Sequence, residues 1–305
     1  MYTLSLFDPI VSQTIAFIVG IFVITISVHF VGSKLLKRKI EYSRYSMWLL
    51  FAMTMFSAAF LGGIFQALIY SVIIYLGVIE IYRAGEAAGF VADKQSKGLA
   101  LASASIFPLV LVTEPKHAIL FLTLAVLAIF SVPVFQRNFK LASNKVTLAI
   151  FSLVFAALFS HLILIRSLAG GFGFTLFVVF ITDAANSMGA VFGQLFGKRR
   201  YIPGVSPGKS LEGSLGSFLM TIIVAMILRF WVPGFTLSEI VAAAILICFF
   251  AQVGDLVFSV FKREVGIKDY SHILLEQGGI LDQFDSMIYT APIFFYFLKM
   301  LEYLK

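Results

Sequence analysis

The chain has 305 residues, of which 60% are hydrophobic, 34 are phenylalanine and only 13% are charged, with a net charge of +7. So large an apolar excess exceeds what a water-soluble core requires and marks a multi-spanning membrane protein. The apolar runs are continuous rather than alternating, and a backbone in lipid must satisfy its own hydrogen bonds, so an all-α polytopic fold is expected in preference to a barrel.

Taken in chain order, the apolar runs predict nine to ten transmembrane helices, at roughly 10–32, 46–63, 65–82, 98–113, 118–135, 145–164, 168–195, 214–233, 236–261 and 286–301. The second and third are separated only by the turn-like "GGIFQ". The first reads as an anchor, because it lacks the basic start of a signal peptide and no small-residue cleavage pattern follows it. If the loops alternate across the membrane, one side holds the basic groups from Lys34 to Arg44, Arg83 to Lys97, Arg137 to Lys145, Lys198 to Lys209 and Lys262 to Lys268. The other side holds only Lys116, Arg166, Arg229, Lys299 and Lys305. The asymmetry places the basic loops in the cytoplasm, and anionic lipid headgroups account for the net charge without any nucleic-acid partner.

Cys248 lies in an apolar run as the single cysteine, so there is no internal disulfide, and His29, His117, His161 and His272 are too scattered to suggest zinc. Walker-type phosphate loops, G-x-S-x-G elbows and short repeats are absent from the sequence. The chain reads as one continuous membrane domain with an amino-terminal scaffold, 1–180, and a carboxy-terminal catalytic region, 181–305. Ten of the 16 acidic residues lie from Asp183 onward.

Two polar loops stand out in that second region. In "TDAANSMGAVFGQLFGKRRYIPGVSPGKSLEGSLG", Asp183 and Asn186 stand three apart on a membrane-buried helix and so project from one side. A carboxylate there is expensive and is a functional candidate by default. Ser206, Lys209 and Ser210 then supply hydroxyls and an ammonium among flexible glycines, a loop suited to phosphate. An ordinary cytoplasmic turn with a capping serine fits the same spacing.

In "AQVGDLVFSVFKREVGIKDYSHILLEQGGILDQFDS", Asp255 falls inside an apolar span about two turns before Lys262 and Arg263. Asp269 follows Lys268, and Asp282 and Asp285 are again three apart. Four carboxylates at a membrane surface repel one another unless a cation sits among them, and hard oxygen ligands favour a magnesium-type ion. Lys262, Arg263 and Lys268 are placed to hold the phosphates that such an ion accompanies. A topology-setting charge run accounts for Lys262 and Arg263 but leaves Asp255 without a purpose.

The run "S-x-F-K-R-x-x-x-x-K-D", Ser259 to Asp269, with "G-G-I-x-D-x-F-D", Gly278 to Asp285, resembles the signature of the phosphatidate cytidylyltransferases, the CDP-diacylglycerol synthases. "FG-x-x-FGK" and "SPGKS-x-EG" are similar to that family's second hallmark. The resemblance covers essentially the last 125 residues. It implies an integral membrane enzyme, in the cell inner membrane or its equivalent, with its active site at the cytoplasmic face. There it would condense CTP with phosphatidic acid or a related lipid phosphate to CDP-diacylglycerol and pyrophosphate in phospholipid biosynthesis. Magnesium, alone or with a second cation, would be the cofactor, membrane lipids the surroundings, and a homodimer a compatible assembly.

By resemblance, Asp255 and Asp282 are the leading metal-centre and catalytic candidates, with Asp269, Asp285 and Asp183 as further ligands and Lys262 and Lys268 as catalytic cations. Ser206, Lys209, Ser210, Arg263 and Gln277 would bind nucleotide and phosphate. The chain departs from the family pattern at Asn186, where Asp is usual, at Leu275, Glu276 and Gln277, where "P-x-H" is usual, and at Gln283, where Arg is usual. Ser210 replaces Thr and keeps its hydroxyl. These changes remove a carboxylate, an imidazole and a guanidinium. They admit a diverged relative that binds lipid or nucleotide with little or no turnover. A transporter would be expected to carry buried polar groups across several spans in two matching halves, whereas here they cluster in one.

Overall fold

The computed structural model describes residues 5, 8–36, 42–90, 94–135 and 142–304. Lys37, Arg38, Lys39, Arg137, Lys140 and Lys305, used above to orient the chain, lie outside them. Twelve α-helices follow in order: α1 Pro9–Leu36, α2 Tyr42–Leu61, α3 Gly63–Ala87, α4 Lys94–Thr113, α5 Ala118–Phe135, α6 Ala142–Phe159, α7 His161–Ser167, α8 Gly171–Phe196, α9 Leu211–Ile227, α10 Leu237–Glu264, α11 Ile280–Phe284 and α12 Met287–Leu304. Among the described residues there is no β-strand, only an isolated antiparallel bridge between Arg200 and Ser210.

Each of the ten expected spans falls on a helix, with the sixth divided at Ser160 into α6 and α7. Seven described segments are long and apolar enough to cross a membrane, and the described parts of α1 and α2 add the shorter apolar stretches Pro9–Val23 and Ser46–Leu61. The protein is therefore an all-α integral membrane protein. Many of its exposed residues are large and apolar, among them Ile119 at 80% and Leu195 at 68% accessibility, as lipid-facing positions require.

Local chemistry sets where the helices that carry the site begin. Thr236 begins α10 with a reciprocal cap: its hydroxyl accepts from Glu239 N at 3.3 Å, and its own amide donates to the Glu239 carboxylate at 2.6 Å. Ser210 begins α9 by accepting from Gly213 N at 3.1 Å. The α8–α9 pair is close because small residues meet there; a Cβ on Gly213 would come within 2.9 Å of the Gly189 carbonyl oxygen. Near the start of α8, Trp231 donates to Thr14 at 2.7 Å, tying α1 to the turn after α9.

Candidate active site

The charged groups gather at one end of the helix bundle, where the loop after α10 returns through α11 into α12. Phe284 fixes that return. Its buried ring packs against Phe159 of α6 at 5.1 Å and Phe51 of α2 at 5.8 Å between centroids. Because Phe284 lies between Asp282 and Asp285, the aromatic anchor sets where both carboxylates stand.

Asp282 is held by three donors. Lys262 Nζ reaches its Oδ1 at 2.7 Å, and the amides of Tyr270 and Gly279 reach its Oδ2 at 2.8 Å each. The last of these makes Asp282 a cap for α11 as well as the partner of a lysine. Asp255 and Lys209 form the second ion pair, which joins α10 to the loop before α9. The hydroxyl of Ser259, one turn on, approaches Asp255 Oδ1 at 3.4 Å. Two ammonium groups thus lie among the carboxylates, which answers in part the repulsion expected from the sequence.

Asp285 is less well compensated. Its Oδ1 accepts from the amide of Ser286 at 2.5 Å and from that residue's hydroxyl at 3.0 Å. Burial pushes its carboxyl up to about 7, with the nearby Asp255 charge adding to the rise and Lys262 opposing it. Asn186 donates to the Ser286 hydroxyl at 2.8 Å, so amide, hydroxyl and carboxylate form one chain from α8 to the start of α12. The other end of that amide, Oδ1, is buried without a hydrogen-bond partner.

Several sequence candidates stand elsewhere. Asp183 was grouped with the metal candidates, but it accepts from Trp48 Nε1 of α2 at 3.2 Å and does not join the Asn186–Ser286–Asp285 chain. Ser210 was considered for the nucleotide; its hydroxyl is buried as the α9 cap, the capping role that the spacing also allowed. Arg263 donates to the carbonyls of Val205 at 3.1 Å and Ile267 at 3.3 Å, bridging the two polar loops. Lys268 is exposed, and Ser206, Asp269 and Gln277 are half-buried. None of these four offers a side-chain contact to the cluster among the described residues. Near Gln277 the backbone of Leu275 takes φ 55°, a left-handed conformation closed to proline.

One residue escaped the sequence reading. Glu80 of α3 is fully buried, and it accepts from the Ser271 hydroxyl at 2.5 Å and from the amides of Ile280 at 3.0 Å and Leu281 at 2.8 Å. The carboxylate therefore pins both ends of the 270–282 loop. It also explains Gly279, where an added Cβ would meet Glu80 Oε1 at 2.5 Å. Its signal was present: a lone carboxylate in the apolar run "YLGVIEIY", of the same kind that singled out Asp255. Tyr270, whose ring lies 5.7 Å from Lys262 Nζ, has its phenol pushed upward by burial and then by the charges of Asp282, Asp285 and Glu80.

Helices of membrane length with two lysine–aspartate pairs at one end define a polytopic membrane protein with a charged cluster at that end. The particular family follows from comparison: residues 42–301 match the cytidylyltransferase family, and the chain belongs to it. It is 35% identical over 133 residues to an uncharacterized protein, YnbB, of Escherichia coli, a match covering 44% of this chain and 45% of that protein. It is 38% identical over 117 residues to the phosphatidate cytidylyltransferase of Staphylococcus haemolyticus, covering 38% and 44%. Over 135 residues it is 38% identical to that of Haemophilus influenzae, covering 41% and 45%. The chain spans less than half the length of the curated relatives it matches.

Proposed function

We propose that the protein transfers the cytidylyl group of CTP to phosphatidic acid or a related lipid phosphate, forming CDP-diacylglycerol and pyrophosphate at the cytoplasmic face of the membrane. The observation that carries this reading is the pair of lysines, Lys209 and Lys262, set among Asp255, Asp282 and Asp285 at one end of a family-matched helix bundle. An oxygen of the lipid phosphate attacks the α-phosphorus of CTP. The new P–O bond forms as the bond to the β-bridging oxygen breaks, and pyrophosphate leaves. The nucleophile is already anionic, so no strong base is needed, and the chain's task is to position and neutralise charge. Lys209 and Lys262 supply the cations that meet the incoming phosphates, and the Glu80-pinned loop fixes Asp282, which orients Lys262.

Magnesium fits the oxygen set. Among the described residues no group of three or more His, Cys, Asp or Glu is placed to hold an ion. However, the buried and unpartnered Asn186 Oδ1 is a hydrogen-free oxygen on the same chain as Asp285, and Asp255 is near enough to raise Asp285. Asp255, Asp285 and Asn186 would hold the ion, Asp255 giving up its partly exposed Lys209 contact to do so, with Asp282 committed to Lys262 and two backbone amides. Such an ion would supply charge stabilisation at the transferring phosphorus and at the pyrophosphate.

A second reading, lipid-phosphate or nucleotide binding without transfer, is favoured by Asn186 in place of a carboxylate and by the left-handed turn at Leu275. Purified protein with labelled CTP, phosphatidic acid and magnesium separates the two. The proposal expects liponucleotide above a no-enzyme control, lost in EDTA; magnesium-dependent CTP binding without product would establish the second reading instead.

A further inference from the structure

Away from the charged cluster, a cavity of about 770 Å³ opens among the start of α3, the ends of α4 and α7, and the start of α8. It lies at the other end of the bundle. Gly63 begins α3 at the cavity and Glu80 reaches the site 17 residues later, about 26 Å along the helix. Most of its wall is apolar, with Leu111, Ile163 and Phe172 among the lining residues. Its volume is in the range of a small-molecule site.

One charge faces this wall. Arg166 is half-buried and lines the cavity, and among the described residues no carboxylate pairs with it. Glu114, the acidic residue beside the cavity-lining Pro115, is exposed and lies 3.3 Å from His117 Nδ1, with no contact to Arg166. Arg166 is also held in place: its Nε donates to the Ala59 carbonyl at 2.5 Å, and Gly62 leaves room for the guanidinium, since a Cβ there would stand 3.2 Å from Nη2. A cation at the end of a membrane-length helical segment that is fixed, half-buried and, among the described residues, without a counter-ion calls for an anion, and a planar guanidinium suits phosphate. An apolar chamber beside such a cation suits acyl chain below a phosphate head. The exposed Ser167, Ala169 and Gly170 form the lip on which a headgroup would rest.

We propose that this cavity binds one anionic phospholipid from the leaflet opposite the candidate active site, its phosphate on Arg166 and its acyl chains along the apolar wall. The proposal does not depend on the transferase reading.

The test is native mass spectrometry of the detergent-purified full chain with phosphatidylglycerol, phosphatidylcholine or inorganic phosphate, on wild type, Arg166→Gln and Ala169→Trp. Ala169 is exposed, so the tryptophan should block the lip without disturbing the core. Because the basic loops at the other end also attract anionic lipid, the readout is the difference between wild type and variant. Wild type should hold one more tightly retained phosphatidylglycerol than either variant, with affinity weakened about tenfold or more in both, and phosphatidylcholine should show no such difference. If Arg166→Gln fails to fold, Ala169→Trp still decides. Retention of phosphatidylglycerol by folded variants at the wild-type level would overturn the proposal, as would equal retention of phosphatidylcholine. Inorganic phosphate competing as strongly as the lipid would replace the phospholipid with a soluble anion.

Discussion

Two carboxylate groups of the site differ in how fully they are satisfied. Glu80 and Asp282 each accept three hydrogen bonds from named donors and fix the 270–282 loop. Asp255, Asp285 and the amide of Asn186 have fewer partners: one oxygen is orphaned, and one carboxyl is pushed up to about 7 by burial and by its like-charged neighbour. Buried carboxylates rich in donors act as structural fastenings, whereas under-satisfied oxygens are the ones with capacity left for a ligand. The sequence ranked Asp255 and Asp282 together as metal residues; the geometry supports dividing them.

The largest expected effect is at Glu80. Glu80→Gln would turn amide hydrogens toward buried backbone donors, and each unsatisfied group costs about 1–3 kcal/mol. We expect hydrogen exchange across residues 270–282 to accelerate and liponucleotide formation to fall by on the order of a hundredfold or more. Unchanged exchange would remove Glu80 from the fastened group. Asp255→Asn is the counterpart and sharpens the division: transfer should fall on the order of a hundredfold while the melting temperature changes little, because loss of the partly exposed Lys209 pair is offset by removal of a like charge beside Asp285. A melting loss equal to that of Glu80→Gln would break the distinction.

The lysines divide in the same way at lower amplitude. Lys262→Ala should both destabilise the loop and lower kcat, because it strips a partner from the nearly buried Asp282 side chain, 7% accessible. Lys209→Ala should act on the apparent KM for CTP or lipid by about tenfold with stability little changed, because both members of its pair are partly exposed, at 22% and 23%. A kinetically silent pair would return both lysines to a role in topology alone. The smallest effect is at Asn186. Asn186→Asp adds charge beside Asp285, so in EDTA the variant should melt below wild type, and magnesium should raise its melting temperature by more than it raises that of wild type. Equal magnesium shifts in the two proteins would take Asn186 out of the ion's surroundings.

Hydropathy made the helical architecture legible, because continuous apolar runs of membrane length permit few alternatives, and the ten expected positions each fall on a helix. Lys209, Asp255, Lys262, Asp282 and Asp285 were conspicuous for the same reason, since charge stands out in such a chain, but so were Asp183, Lys268 and Asp269, which do not join them. Their pairing was not. Asp282 and Asp285 share a spacing of three, yet one caps α11 and grips Lys262 while the other closes on Ser286; backbone donors such as Tyr270 N and Gly279 N leave no mark in a sequence. Glu80 lies about 200 residues from the amides it holds, a separation that spacing rules within one helix cannot reach.

Arg263 carries a consequence for anyone recombining this protein with a relative. Its guanidinium grips the backbone at Val205 on one side and Ile267 on the other, so the two polar loops, separate in the chain, are stitched into a single mechanical piece. A chimera that imports either loop alone would inherit half of a seam, with one carbonyl facing a guanidinium set for a different backbone. Grafts that carry 197–210 and 263–286 together keep the seam whole, and the exchangeable unit of this fold is therefore a discontinuous one.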